Sequence, residues 1–219
     1  MRGSVILEVG ALLFPMSSPA AFLDKDGTLI HNLPYNVDPA LICFTPGADE
    51  GLRLLDKGGF RLVVVSNQSG VARGYFSEEA LTAVEGRLRQ LCRKAGVELA
   101  GFYYCPHAPD GTVRKYATTC FCRKPRPGLL VRASLDLGID LRGSWLIGDI
   151  LDDIEAGIGA GCKTVLLLNG NETEWALSEG RCPHYYAADL KEAAQIVIGQ
   201  NAGNRVCLRP GFVAGGDAR

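Results

Sequence analysis

Asp24 and Asp26 stand one residue apart at the end of an apolar run, in FLDKDGTLI (22–30), and Gly27 and Thr28 follow at once. Two carboxylates this close repel and raise each other's pKa, while a turn after a strand needs one aspartate at most. Either a cation holds the pair or the stretch is an acidic turn with no further task. Three later residues give the pair a chemical context. Ser66 closes the Val-rich run FRLVVVSN (60–67), Asp149 closes SWLIGD (144–149), and Lys124 lies in RKPRPG (123–128) ahead of a helix. An acidic cluster of this kind suits Mg2+, a hard cation that takes oxygen ligands and few protein carboxylates. A lysine and a hydroxyl beside it suit a phosphoryl group, whose charge needs donors and cations around it. One aspartate can then attack phosphorus to form an acyl phosphate, and the other can act as general acid and base. In an extended segment the two would point the same way.

A second cluster joins different chemistry. Cys105-Pro-His107, then Cys120-Phe-Cys122 twelve residues later, bracket an irregular segment and offer three thiols and an imidazole. That is a closed tetrahedral set for Zn2+, with no position left for water, and therefore structural. The two-residue spacing of zinc fingers is absent, and no basic recognition helix follows. Because Arg123 and Lys124 come directly after Cys122, the metal would fix the backbone that aims the lysine. The remaining cysteines (43, 92, 162, 182 and 207) are scattered and read mostly as small buried hydrophobes. His31 and His184 are isolated and uninformative.

The elements that must position these groups alternate. Strands are expected at 20–24, 60–67, 101–105, 144–149 and 164–168. Helices are expected at 48–59, from a Ser77 cap to about Ala95 on a Leu81, Val84, Leu88, Leu91, Ala95 face, at 129–137, at 152–160 and at 189–198. This alternation with Val- and Leu-rich strands predicts an α/β fold, a Rossmann-like parallel sheet with helices on both faces. Ligands of such sheets bind beyond the carboxyl ends of the strands, where Asp24, Ser66, Asn67, Cys105 and Asp149 fall.

Composition sets the outer bounds. The chain has 219 residues, 47% hydrophobic and 21% charged, with a formal net charge of −1. It can bury an ordinary core, and its charge balance gives no case for nucleic acid or an anionic membrane as partner. No apolar run reaches the length of a membrane span. Residues 1–19 read as an N-terminal extension, because Glu8 interrupts what would otherwise resemble a secretory leader. Met16 is an alternative start. Residues 20–200 read as the functional domain and 201–219 as a Gly-rich flexible tail.

DKDGT, SNQSG, RKPRPG and GDILDD, in that order, resemble the four motifs of the haloacid-dehalogenase-like phosphohydrolases. The resemblance implies Asp24 as nucleophile, Asp26 as general acid and base, and Ser66 and Lys124 as phosphoryl ligands. It places Mg2+ between the Asp24 carboxylate, the Asp26 carbonyl and Asp149, with Asp153 in support. Asp152 reads as an ordinary helix N-terminal acid. The CxH…CxC set before RKPRPG is similar to two bacterial groups, the D-glycero-D-manno-heptose-1,7-bisphosphate 7-phosphatases and the histidinol-phosphate phosphatases. SNQSGVARGYFSEE favours the first, which implies a role in lipopolysaccharide biosynthesis. It also implies Asn32, Tyr35, Asn67, Gln68, Ser69 and Arg123 as substrate contacts. No long insertion separates the motifs, so no large cap is expected and the zinc loop becomes part of the rim. One departure is Ile150, where that group usually carries a basic residue. Polynucleotide 3′-phosphatases share DxDGT but lack the cysteine cluster. The expectation is a cytoplasmic, monomeric sugar-bisphosphate phosphatase, with a phosphosugar-binding or scaffold protein as the non-enzymatic alternative. Lys25, between the two acids, is read as turned away and without a role.

Overall fold

The apolar strands are divided between two helical layers by the pleat of the sheet. In the computed structural model, which describes residues 18–201, six strands run β1 Ala20–Leu23, β2 Arg61–Asn67, β3 Leu99–Cys105, β4 Trp145–Gly148, β5 Lys163–Leu167 and β6 Tyr185–Ala187. Between them lie α1 Ala48–Lys57, α2 Ala80–Lys94, α3 Gly128–Leu137 and α4 Leu151–Ala160, and α5 Leu190–Asn201 ends the described chain. Alternate residues of a strand face opposite sides. Leu23, Leu62, Val64, Trp145 and Ile147 accordingly join one core with α1, α2 and α5. Phe22, Val63, Val65 and Leu146 join another with Leu129, Leu130 and Ala133 of α3 and Ala156 of α4. Both faces are covered, so β1, β2 and β4 need continuous apolar sequence rather than alternation.

All strand pairings are parallel and the order is β3-β2-β1-β4-β5-β6. The direction of winding reverses between β1 and β4, which is where a doubly wound sheet opens a crevice. Leu23 pairs with Ile147 there, and the Asp24 amide donates to the Ile147 carbonyl at 3.0 Å. The first and fourth motif aspartates are therefore neighbours because their strands are. Among the described residues no separate cap domain interrupts the motifs.

Several expectations shift. β6 was not foreseen: three residues, of which only Ala187 is fully buried, are too short to carry a readable period. β1 stops at Leu23, and the chain then turns, with the Leu29 and Ile30 amides both donating to the Lys25 carbonyl. Asp24 and Asp26 are thus placed by a turn and not by an extended strand. α2 starts at Ala80 with no side-chain cap, and Glu78 instead accepts from the hydroxyls of Tyr104 and Tyr116. Cys92 and Cys162 are buried as expected, but Cys43 and Cys182 are exposed, and Cys207 lies outside the described residues. The readings of residues 1–17 and of the tail beyond Asn201 also fall outside. At the edge of the described residues, the Pro19 carbonyl accepts from the Arg61 amide and the Ser18 carbonyl from the Asp140 amide.

Candidate active site

Lys124 is the hub of the site. It is 2% exposed, and its ammonium contacts Asp24 Oδ1, Asp153 Oδ1 at 2.5 Å and the Val65 carbonyl at 3.1 Å. Burial alone would lower its pKa, but Asp153 and Asp24 outweigh this and hold it above the ordinary lysine range. Its backbone is fixed as tightly. Asn67 receives the Lys124 amide on its side-chain oxygen and donates to the Lys124 carbonyl, both at 3.0 Å. Asn67, expected to touch substrate, lines the open cleft of the site and also uses its amide group to hold the lysine backbone.

Asp153 reaches back to the Ile150 amide at 3.3 Å, so the third residue of α4 satisfies an orphan donor of its own helix. Gly148 makes room for it, since a Cβ there would lie 2.3 Å from that of Asp153. Asp149 is held from two sides, by the Thr28 hydroxyl at 3.1 Å and the Asn171 amide at 2.8 Å. Gly27, at φ +87°, closes the turn against it, where a Cβ would come within 2.0 Å of Asp149 Oδ2.

The charges of this pocket do not balance. Asp24, Asp149 and Asp153 bring carboxylate oxygens within 4.8 Å of one another, all buried, against the single ammonium of Lys124. Desolvation, reinforced by Asp24 and Asp153, pushes Asp149 up to about 8, and desolvation pushes Asp153 up to about 6 despite Lys124. An all-oxygen, over-acidic pocket is what a hard divalent cation relieves, and the donor set fits Mg2+.

Asp26 faces outward from this cluster. Burial raises its pKa, against the lowering effect of Lys25, which lies 2.6 Å away. Lys25 is therefore not turned away. It is 1% exposed and pairs with Asp26, while Gln68 donates to the other Asp26 oxygen at 3.2 Å and to Ser66 at 2.8 Å. Gln68 thereby links two expected catalytic residues. A cleft of about 430 Å³ opens over Lys25 and Asp26 and is walled by Asn32, Tyr35, Ser69 and Ile150. Tyr35, at φ +57°, stands edge-on to Tyr75 with ring centroids 4.6 Å apart. Arg123 is not among these walls. It donates to the His107 carbonyl at 3.3 Å and lines a separate hollow with Lys124 and Arg126.

The second cluster forms as a unit. Cys105, His107, Cys120 and Cys122 place their ligand atoms within 4.8 Å of one another, and none is in a disulfide. The sulfurs lie 3.2–3.4 Å apart, with His107 Nδ1 3.3 Å from Cys122 Sγ. Three thiols and an imidazole converging in a loop fit Zn2+. The loop is tied to its surroundings by Arg126 donating to the Cys120 carbonyl at 2.5 Å and Gly128 to that of Phe121 at 3.1 Å.

The residues missed from sequence are Lys25, Thr28, Asn169, Asn171 and Glu172. Asn169 donates to the Gly27 carbonyl at 2.6 Å, and Glu172 accepts from the Leu151 amide at 2.5 Å. The last three follow β5 directly, so polarity at the carboxyl end of that strand was the available signal.

Comparison with known proteins agrees with this geometry. The family model described as HAD-hydrolase-like matches residues 121–193. D-glycero-beta-D-manno-heptose-1,7-bisphosphate 7-phosphatase from Yersinia pestis is 41% identical over 154 residues, covering 69% of this chain and 81% of that one. The protein of the same name from Escherichia coli K12 is 39% identical over 188 residues, covering 81% and 94%. Among solved structures, D,D-heptose 1,7-bisphosphate phosphatase from B. bronchiseptica, complexed with magnesium and phosphate, superposes with a TM-score of 0.69 at 27% identity, covering 83% of this chain and 99% of that one. With the motif aspartates, Lys124 and the cysteine cluster all assembled on a six-stranded parallel sheet, the chain belongs to the haloacid-dehalogenase-like hydrolases, in the group whose curated members carry the heptose-bisphosphatase name.

Proposed function

We propose that this protein is a phosphoric monoester hydrolase that removes the 7-phosphate of D-glycero-D-manno-heptose 1,7-bisphosphate through an aspartyl-phosphate intermediate. The observation that carries the reading is the meeting of Asp24, Lys124, Asp149 and Asp153 in one buried pocket, with Asp26 beside it facing the open cleft. A carboxylate of Asp24 attacks phosphorus, and the bond to the sugar C7 oxygen breaks as Asp26 gives that oxygen a proton. Asp26, now ionised, takes a proton from water, which attacks the same phosphorus and returns Asp24 with release of phosphate. Lys124 and Ser66 hold the non-bridging oxygens in both steps. Lys25 and Gln68, one on each Asp26 oxygen, keep that carboxyl group aimed between its two proton transfers.

Asp24, the Asp26 carbonyl and Asp149 would hold Mg2+, which supplies positive charge to the phosphoryl oxygens when bound. Asn32, Tyr35 and Ser69 line the cleft, which supports them as contacts to the sugar. Arg123 belongs to the neighbouring hollow, with Arg126, where a distal phosphate would find positive charge. The apolar Ile150 lines the same cleft as Lys25, whose ammonium is committed to Asp26. The enzyme would act as a cytoplasmic monomer. Among the described residues no helix is long and apolar enough to cross a membrane.

Histidinol phosphate is the competing substrate for the same groups. Side-by-side turnover of both anomers of the heptose bisphosphate and of histidinol phosphate, with Mg2+, tests the assignment. A higher kcat/KM for one heptose anomer is the expected result, and a preference for histidinol phosphate would reverse it.

Cys105, His107, Cys120 and Cys122 would hold a structural Zn2+. Cys120→Ser is expected to lower bound zinc from one per chain to a small fraction, by elemental analysis. Lys124 should also lose its fixed position, so activity falls with the metal. Unchanged zinc stoichiometry would remove Cys120 from the ligand set.

A further inference from the structure

Three polar side chains in the loop after β5 bond to three different parts of the catalytic machinery. Asn169 donates to the Gly27 carbonyl at 2.6 Å, holding the turn that follows the two acids. Asn171 donates to Asp149 Oδ2 at 2.8 Å. Glu172 accepts from the Leu151 amide at 2.5 Å, at the first turn of α4, the helix that carries Asp153. The loop closes on itself as well, with the Asn171 amide donating to Asn169 Oδ1 at 3.3 Å. All three bonds lead to the residues around the acidic pocket.

We propose that this loop positions the divalent-cation site, with Asn171 and Thr28 gripping the two oxygens of Asp149 so that its remaining lone pairs face the cation. The inference rests on the reading of Asp149 as a Mg2+ ligand.

The chemistry of the donors supports it. Each carboxylate oxygen can accept about two bonds, so one donor per oxygen leaves coordination capacity on both. Thr28 and Asn171 are neutral, and a neutral donor orients the carboxylate without cancelling the charge that attracts the cation. The other two acids of the pocket are treated oppositely, since Asp24 and Asp153 share the ammonium of Lys124. The least neutralised carboxylate is thus the one held only by neutral groups. Steric fit adds to this: a Cβ on Gly27 would lie 2.5 Å from Asn171 Nδ2, so turn, aspartate and loop are built against one another. Hydrogen-bond partners of metal ligands fix ligand orientation and typically change metal affinity when removed.

The test is Mg2+ titration by calorimetry into zinc-loaded protein freed of Mg2+, comparing the natural chain with Asn171→Ala and Asn171→Ser. Serine keeps a polar group but is too short to reach Asp149. Both variants are expected to weaken Mg2+ by about 10- to 100-fold, with kcat at saturating Mg2+ within about threefold and KM for the sugar bisphosphate unchanged. A purely structural role would lower the melting temperature of the Mg2+-free protein and leave the affinity alone. If Mg2+ binds both variants as tightly as the natural chain, the role of the loop falls while the metal site stands. If the natural chain itself binds no Mg2+, the assignment of Asp149 falls with it.

Discussion

Asp24→Asn is expected to leave a folded protein that releases phosphate from its substrate at least about 10⁴-fold more slowly than the natural chain. The amide keeps the shape of the side chain and an oxygen for the Lys124 ammonium, and it removes one of three acids from a buried pocket that holds a single ammonium. Folding should therefore survive, and the pocket becomes less strained electrostatically. What disappears is the nucleophile. An amide oxygen does not form a stable acyl phosphate, and neither of the other two carboxylates of the pocket is free to take over. Asp153 is committed to Lys124 and the start of α4, and Asp149 to Thr28 and Asn171. The rate should be compared at saturating Mg2+, because Asp24 is also an expected ligand. Retention of full activity would refute the covalent route.

Lys124→Met is expected to cost both activity and stability. Methionine matches the length of the lysine stem, so the loss is the charge. Asp24 and Asp153 would then face each other in a dry pocket with no counter-charge, and breaking a buried pair from one side costs about 3–5 kcal/mol. For a chain of this size that is a fall in melting temperature of about 10 °C. Under the proposed role of Lys124 as a phosphoryl ligand, its removal should add a loss in kcat of about 10²-fold or more. Thermal melts and phosphate release on the same preparation check the two parts. The Met variant melting like the natural chain would contradict the hub role. Added Mg2+ should restore part of the stability, since it supplies the missing positive charge.

Much of this site was readable because its parts sit at strand ends. Asp24, Ser66 and Asp149 follow runs that only a sheet covered on both faces can accommodate, and parallel winding then brings those ends to one edge. Lys124 and the Cys105–Cys122 segment were readable through residue chemistry alone. What escaped was the work done by neutral and neighbouring side chains. The ion pair of Lys25 with Asp26 depends on a turn that begins one residue earlier than the strand pattern implies. The bonds of Asn67 to the Lys124 backbone span 57 residues, and those of Asn171 to Asp149 depend on how β5 lies beside β4. Asparagine after a strand is so common in loops that its target is visible only in three dimensions. Arg123, a substrate contact by the resemblance alone, donates to the His107 carbonyl and lines a hollow with Lys124 and Arg126, a placement that depends on how the cysteine loop folds.

The most direct test of the central claim is to follow heptose 1,7-bisphosphate by phosphorus NMR in the presence of the purified protein and Mg2+. The account predicts that the C7 monoester signal is replaced by inorganic phosphate while the anomeric phosphate signal persists. Loss of the anomeric phosphate first, or no release of phosphate from either position, would contradict it.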